Sequence, residues 1–168
     1  MKILTISGSA RSDSANVQLV KNLPFLFTDH SFQHYKAIEK LPLFKADLDN
    51  PPWDTEVLAW RKAIQQSDAV IISTPAYIYN IPALLKNGLE WVTSSGELAQ
   101  KRVLPITFTP HPPRGKRAMQ SLLWSLQALG ANIVVQLPLY QNEIAFDNNG
   151  KLIINEFAEL LMEAVNML

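Results

Sequence analysis

The chain contains no cysteine among its 168 residues. Disulfide frameworks, thiolate catalysis and cysteine-ligated metal sites are therefore excluded. The three histidines (His30, His34 and His111) are scattered, without the spacing of a zinc-binding helix. A zinc enzyme is accordingly not expected, and no metal ligand is predicted.

The chain also lacks an excess of charge of either sign, since lysine plus arginine and aspartate plus glutamate both number 15. A net charge of zero provides no global basic surface for nucleic acid and no polybasic patch for a membrane. The apolar runs are too short to span a bilayer, and the N-terminus has neither a basic segment nor a cleavable apolar one. A cytoplasmic protein is therefore the default expectation.

Apolar residues make up 48% and charged residues 18% of the chain, a balance typical of a folded domain with a full core. Apolar runs, predicted as strands, alternate about five times with amphipathic stretches, predicted as helices. The predicted strands cover residues 2–7, 31–38, 69–73, 103–108 and 132–137. The predicted helices run from a cap at Ser14 or Asn16 to near Pro24, and over residues 55–67, 83–92, 115–129 and 156–167. The alternation predicts one three-layer α/β domain, residues 1–168, around a parallel sheet.

Three predicted loops follow the first, third and fourth strands. We name them loop 1 (residues 8–16), loop 2 (residues 74–80) and loop 3 (residues 109–115). In open parallel sheets the ligand binds beyond the carboxyl ends of the strands. The three loops should therefore converge in space, although they lie far apart in the sequence.

Loop 1 has the composition of a phosphate site, because it leads from a strand into a helix and contains a glycine, three serines and an arginine. Small residues let backbone N–H groups approach an anion, and the first helical turn adds its positive end. The side chains suited to phosphate oxygens are Ser9, Arg11, Ser14 and Asn16. The loop matches neither GxxxxGKS/T nor GxGxxG, so an ordinary capped turn with a solvent-facing arginine is an equally open interpretation.

Loop 2 is rich in aromatic residues and leads to Pro82, at the start of the next predicted helix. Its backbone N–H and C=O groups could bind the edge of a flat ligand while Tyr77 or Tyr79 packs nearby. In the alternative interpretation, both tyrosines merely cover the edge of the sheet.

Three segments of the chain combine these loops in a fixed order and spacing: Gly8-Ser9-x-Arg11-x-x-Ser14-x-Asn16, Ser73-Thr74-Pro75-x-Tyr77 and Ile81-Pro82-x-x-Leu85-Lys86-Asn87-x-Leu89-Glu90-Trp91. In these segments the chain resembles the NAD(P)H-dependent FMN reductase family, which includes quinone, chromate and azo-dye reductases. Separated motifs that occur together in the right order and spacing identify a family more specifically than any one of them alone. The resemblance implies a flavodoxin-like three-layer sandwich with a five-stranded parallel sheet of order 2-1-3-4-5.

The resemblance also implies that FMN and NAD(P)H are the cofactors. The residues that would hold the FMN phosphate are Ser9, Arg11, Ser14 and Asn16. The residues that would run along the isoalloxazine ring, largely through their backbone, are Pro75, Ala76, Tyr77 and Ile78. Loop 3, starting at Thr109, would close over the other side of the ring. No catalytic side chain is expected, because hydride transfer requires none.

The sequence departs from the family pattern in three places. The family usually has glutamate and asparagine where Ala76 and Ile78 stand, so side-chain hydrogen bonds are lost there while backbone contacts remain. It usually has aspartate where Glu90 stands. Its third loop is normally glycine-rich, whereas loop 3 has three prolines, which lack N–H donors and stiffen the backbone.

Arg114, Lys116 and Arg117 crowd the predicted start of the fourth helix, where the helix dipole disfavours cations. A phosphate of the nicotinamide cofactor, such as the 2′-phosphate, would account for them. The alternative is an ordinary solvated face or an intersubunit salt bridge.

The third predicted helix carries Lys86 and Glu90 at the i,i+4 spacing of an ion pair. The resemblance implies that this helix contributes to an oligomer contact, because the family commonly forms homodimers or homotetramers. The residues concerned are Lys86, Asn87, Glu90 and Trp91.

Together these features predict an NAD(P)H-dependent oxidoreductase that passes a hydride to bound FMN and on to a small-molecule acceptor. The acceptor could be a quinone, an azo compound, a metal oxyanion or free flavin. One alternative is a flavodoxin-like electron carrier without NAD(P)H turnover, although such carriers are usually strongly acidic. The other is a flavin-free binding module of the same fold, which the prolines of loop 3 leave open.

Overall fold

A parallel sheet lies at the centre of the fold, and the computed structural model describes all of residues 1–168. The strands are β1 (Lys2–Ser7), β2 (Ser31–Tyr35), β3 (Ala69–Thr74), β4 (Arg102–Thr109), β5 (Asn132–Ile133) and β6 (Leu137–Tyr140). The helices are α1 (Ala15–Leu26), α2 (Thr55–Gln65), α3 (Ala83–Glu90), α4 (Lys116–Ala128) and α5 (Glu156–Asn166). No helix has both the length and the apolar composition needed to cross a membrane.

The strand order is β2-β1-β3-β4-β5, with β6 also paired to β4, and every pair is parallel. The predicted order 2-1-3-4-5 is therefore confirmed. The order reverses at β1, since one crossover leads from β1 to β2 and the next returns past β1 to β3. Crevices at such reversals are where ligands bind in open α/β sheets.

Successive side chains of each strand point to opposite sides of the sheet, and both of these faces are apolar. In β3, Val70 and Ile72 pack with α2, α3 and α4 on one side, while Ile71 packs with α1 and α5 on the other. Strands buried on both faces read as continuous apolar runs, which is why the sequence of β3 predicted a parallel strand. The sheet with helices on both faces forms the three-layer α/β sandwich.

At the fifth position of the sheet, one strand over residues 132–137 was predicted, and the structure differs. Two short strands occupy it, and β5 and β6 each pair with a different part of β4. Pro138 lies in β6, at the edge of the sheet, where a residue without an N–H is tolerated. Because β5 and β6 pair only with β4, this edge of the sheet has no outer partner.

Smaller differences concern the ends of α1 and β2. Helix α1 continues to Leu26, two residues beyond Pro24, which lies inside it. Strand β2 ends at Tyr35 instead of reaching residue 38, because the chain turns there into a short 3₁₀ helix over Ile38–Lys40. The segment over residues 41–53, between β2 and α2, contains a second 3₁₀ turn at Ala46–Leu48.

Candidate functional site

Loops 1, 2 and 3 meet at the carboxyl ends of β1, β3 and β4. The Gly8 N–H donates to the Ser73 carbonyl over 2.8 Å, which joins the start of loop 1 to the end of β3. The Asn16 side chain then links β3 and β4, since its Oδ1 accepts from the Ser73 hydroxyl at 2.7 Å and its Nδ2 donates to the Phe108 carbonyl at 3.1 Å. The convergence expected of these loops is therefore present.

Gly8 is required by the close approach of loop 1 to the end of β3. A Cβ at this position would lie 2.6 Å from Thr74 Oγ1 and 3.0 Å from Leu85 Cδ2. Thr74 is fully buried and Leu85 lies in the core, so neither side chain can move aside freely. A single glycine immediately after an apolar strand was the sequence signal for this contact.

The backbone of loop 1 presents several N–H groups that donate to no protein acceptor. Among its residues, the N–H groups already engaged belong to Gly8, Ser9, Arg11 and Ser14. Those without a protein acceptor belong to Ala10, Ser12, Asp13, Ala15 and Asn16. So many free donors within seven residues, at the start of a helix, are the arrangement that an anion-binding loop requires, and they would fit the phosphate of FMN.

The side chains of loop 1 divide into buried and exposed groups. The Ser9 hydroxyl accepts from the Arg11 N–H at 3.3 Å, and the Ser14 hydroxyl caps α1 by accepting from the Val17 N–H at 3.2 Å. Each hydroxyl keeps its own proton to donate to an anion. The Arg11 side chain is 72% exposed and its Nε lies 3.2 Å from Asp13 Oδ1, which leaves both Nη groups free for a phosphate.

Asn16 differs from the other residues predicted to hold the phosphate. Its side chain is buried, and both its oxygen and its amide nitrogen bond to protein groups. Its backbone N–H has no protein acceptor and so remains available to an anion, while its side chain positions loop 1 on the sheet. Sequence reasoning missed this function because Ser73 and Phe108 lie 57 and 92 residues away.

Loop 2 forms a tight two-residue turn. Tyr77 and Asn80 exchange two backbone hydrogen bonds of 2.9 Å, and the intervening Ile78 and Tyr79 have φ angles of 50° and 61°. Positive φ at both central residues is the type I′ geometry, which favours Asn-Gly. The N–H groups of Ala76 and Ile78 have no protein acceptor, which fits the predicted backbone contacts to a ring edge.

Ile78 is strained by this turn, because a β-branched side chain disfavours positive φ and the side chain is 98% exposed, with no packing in compensation. The replacement Ile78→Asn should therefore raise the free energy of unfolding by about 1 kcal/mol. Chemical denaturation of the two proteins measures the difference. The control is Ile153→Asn, at an exposed isoleucine outside the positive-φ region, which should give no gain. Equal effects at the two positions would refute the assignment of strain to Ile78.

Loop 3 is held close to the sheet. The Thr109 hydroxyl donates to the Arg114 carbonyl at 2.8 Å, and the Arg114 N–H donates to the His111 carbonyl at 3.0 Å. Gly115 has φ of 97°, and a Cβ there would lie 3.0 Å from Thr109 Cγ2. Thr109 is buried, so its hydroxyl shapes loop 3 from within, and its contact with a flavin stays a prediction.

A cleft of about 690 Å³ opens between loop 2 and loop 3. Ala76, Ile78 and Tyr79 line one wall, and the opposite wall comprises His111, Pro113, Arg114, Gly115, Lys116 and Arg117. The Arg117 guanidinium carbon lies 5.0 Å from the centre of the Tyr79 ring, so the two walls touch through a cation–π contact. Beside this contact, the volume of the cleft is sufficient for a flat aromatic ring.

Two titratable side chains lie beside loop 1, in a groove of about 180 Å³. Burial lowers the pKa of His34 below its usual range. Burial, with the nearby charges of Glu56 and Glu39, raises the pKa of Tyr35 to about 12. His34 is therefore neutral and Tyr35 protonated near pH 7, and neither adds charge next to a bound phosphate.

Of the four residues in and just after α3 that were assigned to an oligomer contact, two are buried within the chain and two form an ion pair on its surface. The Asn87 side chain accepts from the Phe44 N–H and donates to the Pro42 carbonyl, to which the Trp91 indole also donates. Asn87 and Trp91 are buried within the chain, so the assignment of their side chains to a partner surface is corrected. Lys86 and Glu90 form the predicted i,i+4 ion pair, with 2.9 Å between Nζ and Oε1.

Comparison with known proteins decides the family. Residues 1–142 match the family model described as NADPH-dependent FMN reductase. The chain belongs to this family. Among curated proteins, it is 30% identical to the NADH:(hydroxy)cinnamate reductase subunit CrdA of Vibrio ruber over 175 residues, which cover 98% of this chain and 86% of that protein. It is 31% identical to the quinone reductase of Escherichia coli strain K12 over 140 residues, covering 80% of this chain and 73% of that protein.

Solved structures agree with this FMN reductase assignment. The flavoenzyme NAD(P)H:(acceptor) oxidoreductase FerB of Paracoccus denitrificans has a TM-score of 0.80 at 25% identity, covering 98% of this chain and 93% of that one. Oxidised flavodoxin 1 of Bacillus cereus has a TM-score of 0.62 at 14% identity, covering 99% and 97%. The flavodoxin-like fold is thereby confirmed, and the chain is an enzyme of the NAD(P)H-dependent FMN and quinone reductase type.

Proposed function

We propose that the chain binds FMN, accepts a hydride from NAD(P)H and passes the electrons to a small-molecule acceptor. The single observation that carries this proposal is the set of free N–H groups in loop 1, beside a cleft that can accept a flat ring. We further propose that residues 1–168 form one flavodoxin-like domain and that the protein is a cytoplasmic homodimer or homotetramer.

Loop 1 would bind the phosphate of FMN. The free N–H groups and the start of α1 supply donors and positive potential, and the Ser9 and Ser14 hydroxyls add donors from within. Arg11 is exposed, so its guanidinium can close over the phosphate from solvent. An arginine–phosphate bond contributes about 1.5–3 kcal/mol, less than several backbone bonds together, so loss of Arg11 should weaken binding without abolishing it.

Loop 2 and loop 3 would hold the isoalloxazine ring. Bound FMN would supply the hydride chemistry, taking a hydride from NAD(P)H and returning electrons to the acceptor. The Ala76 and Ile78 N–H groups face no protein acceptor and can bind polar atoms on the edge of the ring. Ala76, Ile78 and Tyr79 form one wall of the cleft, and the tightly held loop 3 keeps the opposite wall in place.

The acceptor would enter the same cleft after the nicotinamide leaves. Relatives of the chain include quinone reductases and an NADH:(hydroxy)cinnamate reductase subunit, which supports a planar conjugated acceptor. The cleft has an apolar wall at Ile78 and Tyr79 and a cationic wall at Arg114 and Arg117, a combination that suits such a molecule. A quinone is therefore the first acceptor to test, followed by azo compounds, metal oxyanions and free flavin.

The test begins with the absorbance spectrum of the purified protein and with identification of the flavin released on denaturation. We expect FMN bound one to one, and steady-state oxidation of NADPH or NADH in the presence of menadione. Bound FMN without turnover would identify an electron carrier. A colourless protein that fails to take up added FMN would identify a binding module, and either result would overturn the proposal.

A further inference from the structure

The cleft between loop 2 and loop 3 carries a local excess of positive charge. Its lining includes Arg114, Lys116 and Arg117 and no aspartate or glutamate. None of these three cations lies within 4.0 Å of a carboxylate oxygen, since the ion pairs of the chain all lie elsewhere. The chain as a whole has zero net charge, so this excess does not reflect a generally basic protein.

The fold gives no reason for these three cations to be where they are. All three are exposed, and the only side-chain contact that any of them makes is that of Arg117 with the Tyr79 ring. Lys116 and Arg117 occupy the first turn of α4, where the helix dipole disfavours positive charge. Mutual repulsion among three cations that line one cleft adds a further cost. A structural explanation through ion pairing is therefore absent, whereas an anionic ligand in the cleft would account for all three.

Phosphate is the anion that suits this arrangement. Two guanidinium groups and one ammonium group can donate charge-assisted hydrogen bonds to several oxygens of one dianionic group. The Tyr79 ring, already in contact with Arg117, offers a flat apolar surface for a base or ring attached to that phosphate. The chemistry is that of an aromatic nucleotide carrying a terminal phosphate.

We propose that Arg114, Lys116 and Arg117 bind the 2′-phosphate of NADPH and make the chain prefer NADPH to NADH. This inference rests on the proposed function, because it places the nicotinamide cofactor in the same cleft. The family model is described as NADPH-dependent, but relatives are named as NADH-dependent and as NAD(P)H-dependent, so membership of the family does not fix the preference. The two nucleotides differ only in this phosphate, which is what the cationic wall can distinguish.

Binding of adenosine 2′,5′-bisphosphate tests the site without relying on turnover. Isothermal titration should show that the triple variant Arg114→Gln, Lys116→Gln and Arg117→Gln binds this probe about 100-fold more weakly than the original chain, as expected for two or more lost charge-assisted bonds. Binding of AMP, which lacks the 2′-phosphate, should change by no more than about threefold. The matched control, Lys40→Gln, Lys45→Gln and Lys62→Gln, removes the same charge from exposed positions outside the cleft and should leave probe binding unchanged.

Kinetics with menadione separate this inference from the proposed function. The triple variant should raise KM for NADPH by about 100-fold and leave KM for NADH nearly unchanged. Parallel changes with both nucleotides, or an effect confined to the acceptor, would overturn the inference. The inference would also be overturned if an active enzyme bound the bisphosphate and AMP with the same affinity. If the protein neither binds FMN nor oxidises either nucleotide, yet loses bisphosphate binding in the triple variant, the proposed function fails while the phosphate site stands.

Discussion

Alanine in place of Arg61 should lower the free energy of unfolding by about 3–5 kcal/mol, because it leaves a carboxylate without its partner in a buried position. Arg61 Nη2 lies 2.6 Å from Asp49 Oδ1, and the side chains of both residues are 8% exposed. The same guanidinium donates twice to the Trp91 carbonyl, at 3.0 Å from Nε and 2.9 Å from Nη2. The substitution therefore removes three charge-assisted hydrogen bonds at once.

The effect should reach the cleft through α3. Asp49 belongs to the segment over residues 41–53, and Trp91 is the C-cap of α3. Arg61 on α2 thus fixes that segment to the end of the helix that follows loop 2. Because the N-terminal end of α3 adjoins loop 2, loosening its other end should also weaken flavin binding.

The stability loss should depend on pH in a defined direction. Burial raises the pKa of Asp49, but hydrogen bonds from Ser94 and Arg61 and the charge of Arg61 outweigh it, so the net pKa lies below the ordinary value. A carboxylate with a lowered folded pKa contributes stability above its unfolded pKa, and this contribution disappears as the pH falls through the folded pKa. The difference between Arg61→Ala and the original chain should therefore be full at pH 7 and shrink below about pH 4.

Urea denaturation at pH 7, and again between pH 3.5 and pH 3, would measure the loss in the free energy of unfolding and its dependence on pH. The control is Lys62→Ala, the next residue of α2, which is exposed and should change stability by no more than about 0.5 kcal/mol. A loss below about 1 kcal/mol for Arg61→Ala would show that the ion pair is not needed for stability. A loss that stays constant down to the lower pH would exclude Asp49 as its source.

The layered fold was predictable from the sequence because its signals are local. The continuous apolar run of β3 indicates burial on both faces, and Ser14 is a capping residue placed where α1 begins. The position of loop 1 follows from the same logic, since Gly8 ends an apolar run and a helix follows. Each of these features depends on neighbours within a few residues, which a sequence pattern can represent.

The remaining features depend on partners distant in sequence. Asn16 resembles a phosphate ligand in a motif, yet its side chain bridges Ser73 and Phe108. The strain at Ile78 was also hidden, because isoleucine is typical of strands and gives no sign of a type I′ turn. The sequence predicts which residues gather at the site more readily than how each of them takes part.

Asn16→Ala should therefore affect both stability and flavin binding, whereas Arg11→Gln should affect binding alone. Removing the Asn16 side chain leaves the buried Ser73 hydroxyl and the Phe108 carbonyl without this partner, at a cost of about 1–3 kcal/mol for each group. We expect the free energy of unfolding of the flavin-free protein to fall by about 2–4 kcal/mol. Loop 1 would also lose its side-chain link to β3 and β4, although the Gly8 backbone bond remains. FMN affinity should therefore fall by about 100-fold, which corresponds to about 2.7 kcal/mol.

Arg11→Gln is the matched comparison, because Arg11 belongs to the same loop and makes only an exposed ion pair with Asp13. Its loss should change stability by no more than about 1 kcal/mol and lower FMN affinity by about tenfold. Denaturation of the flavin-free proteins and quenching of FMN fluorescence measure the two quantities separately. If Asn16→Ala weakened FMN binding without destabilising the flavin-free protein, its side chain would act on the ligand directly. If it destabilised the protein without weakening FMN binding, loop 1 would not be the phosphate site, because the attachment of that loop to the sheet could then be lost at no cost to the ligand.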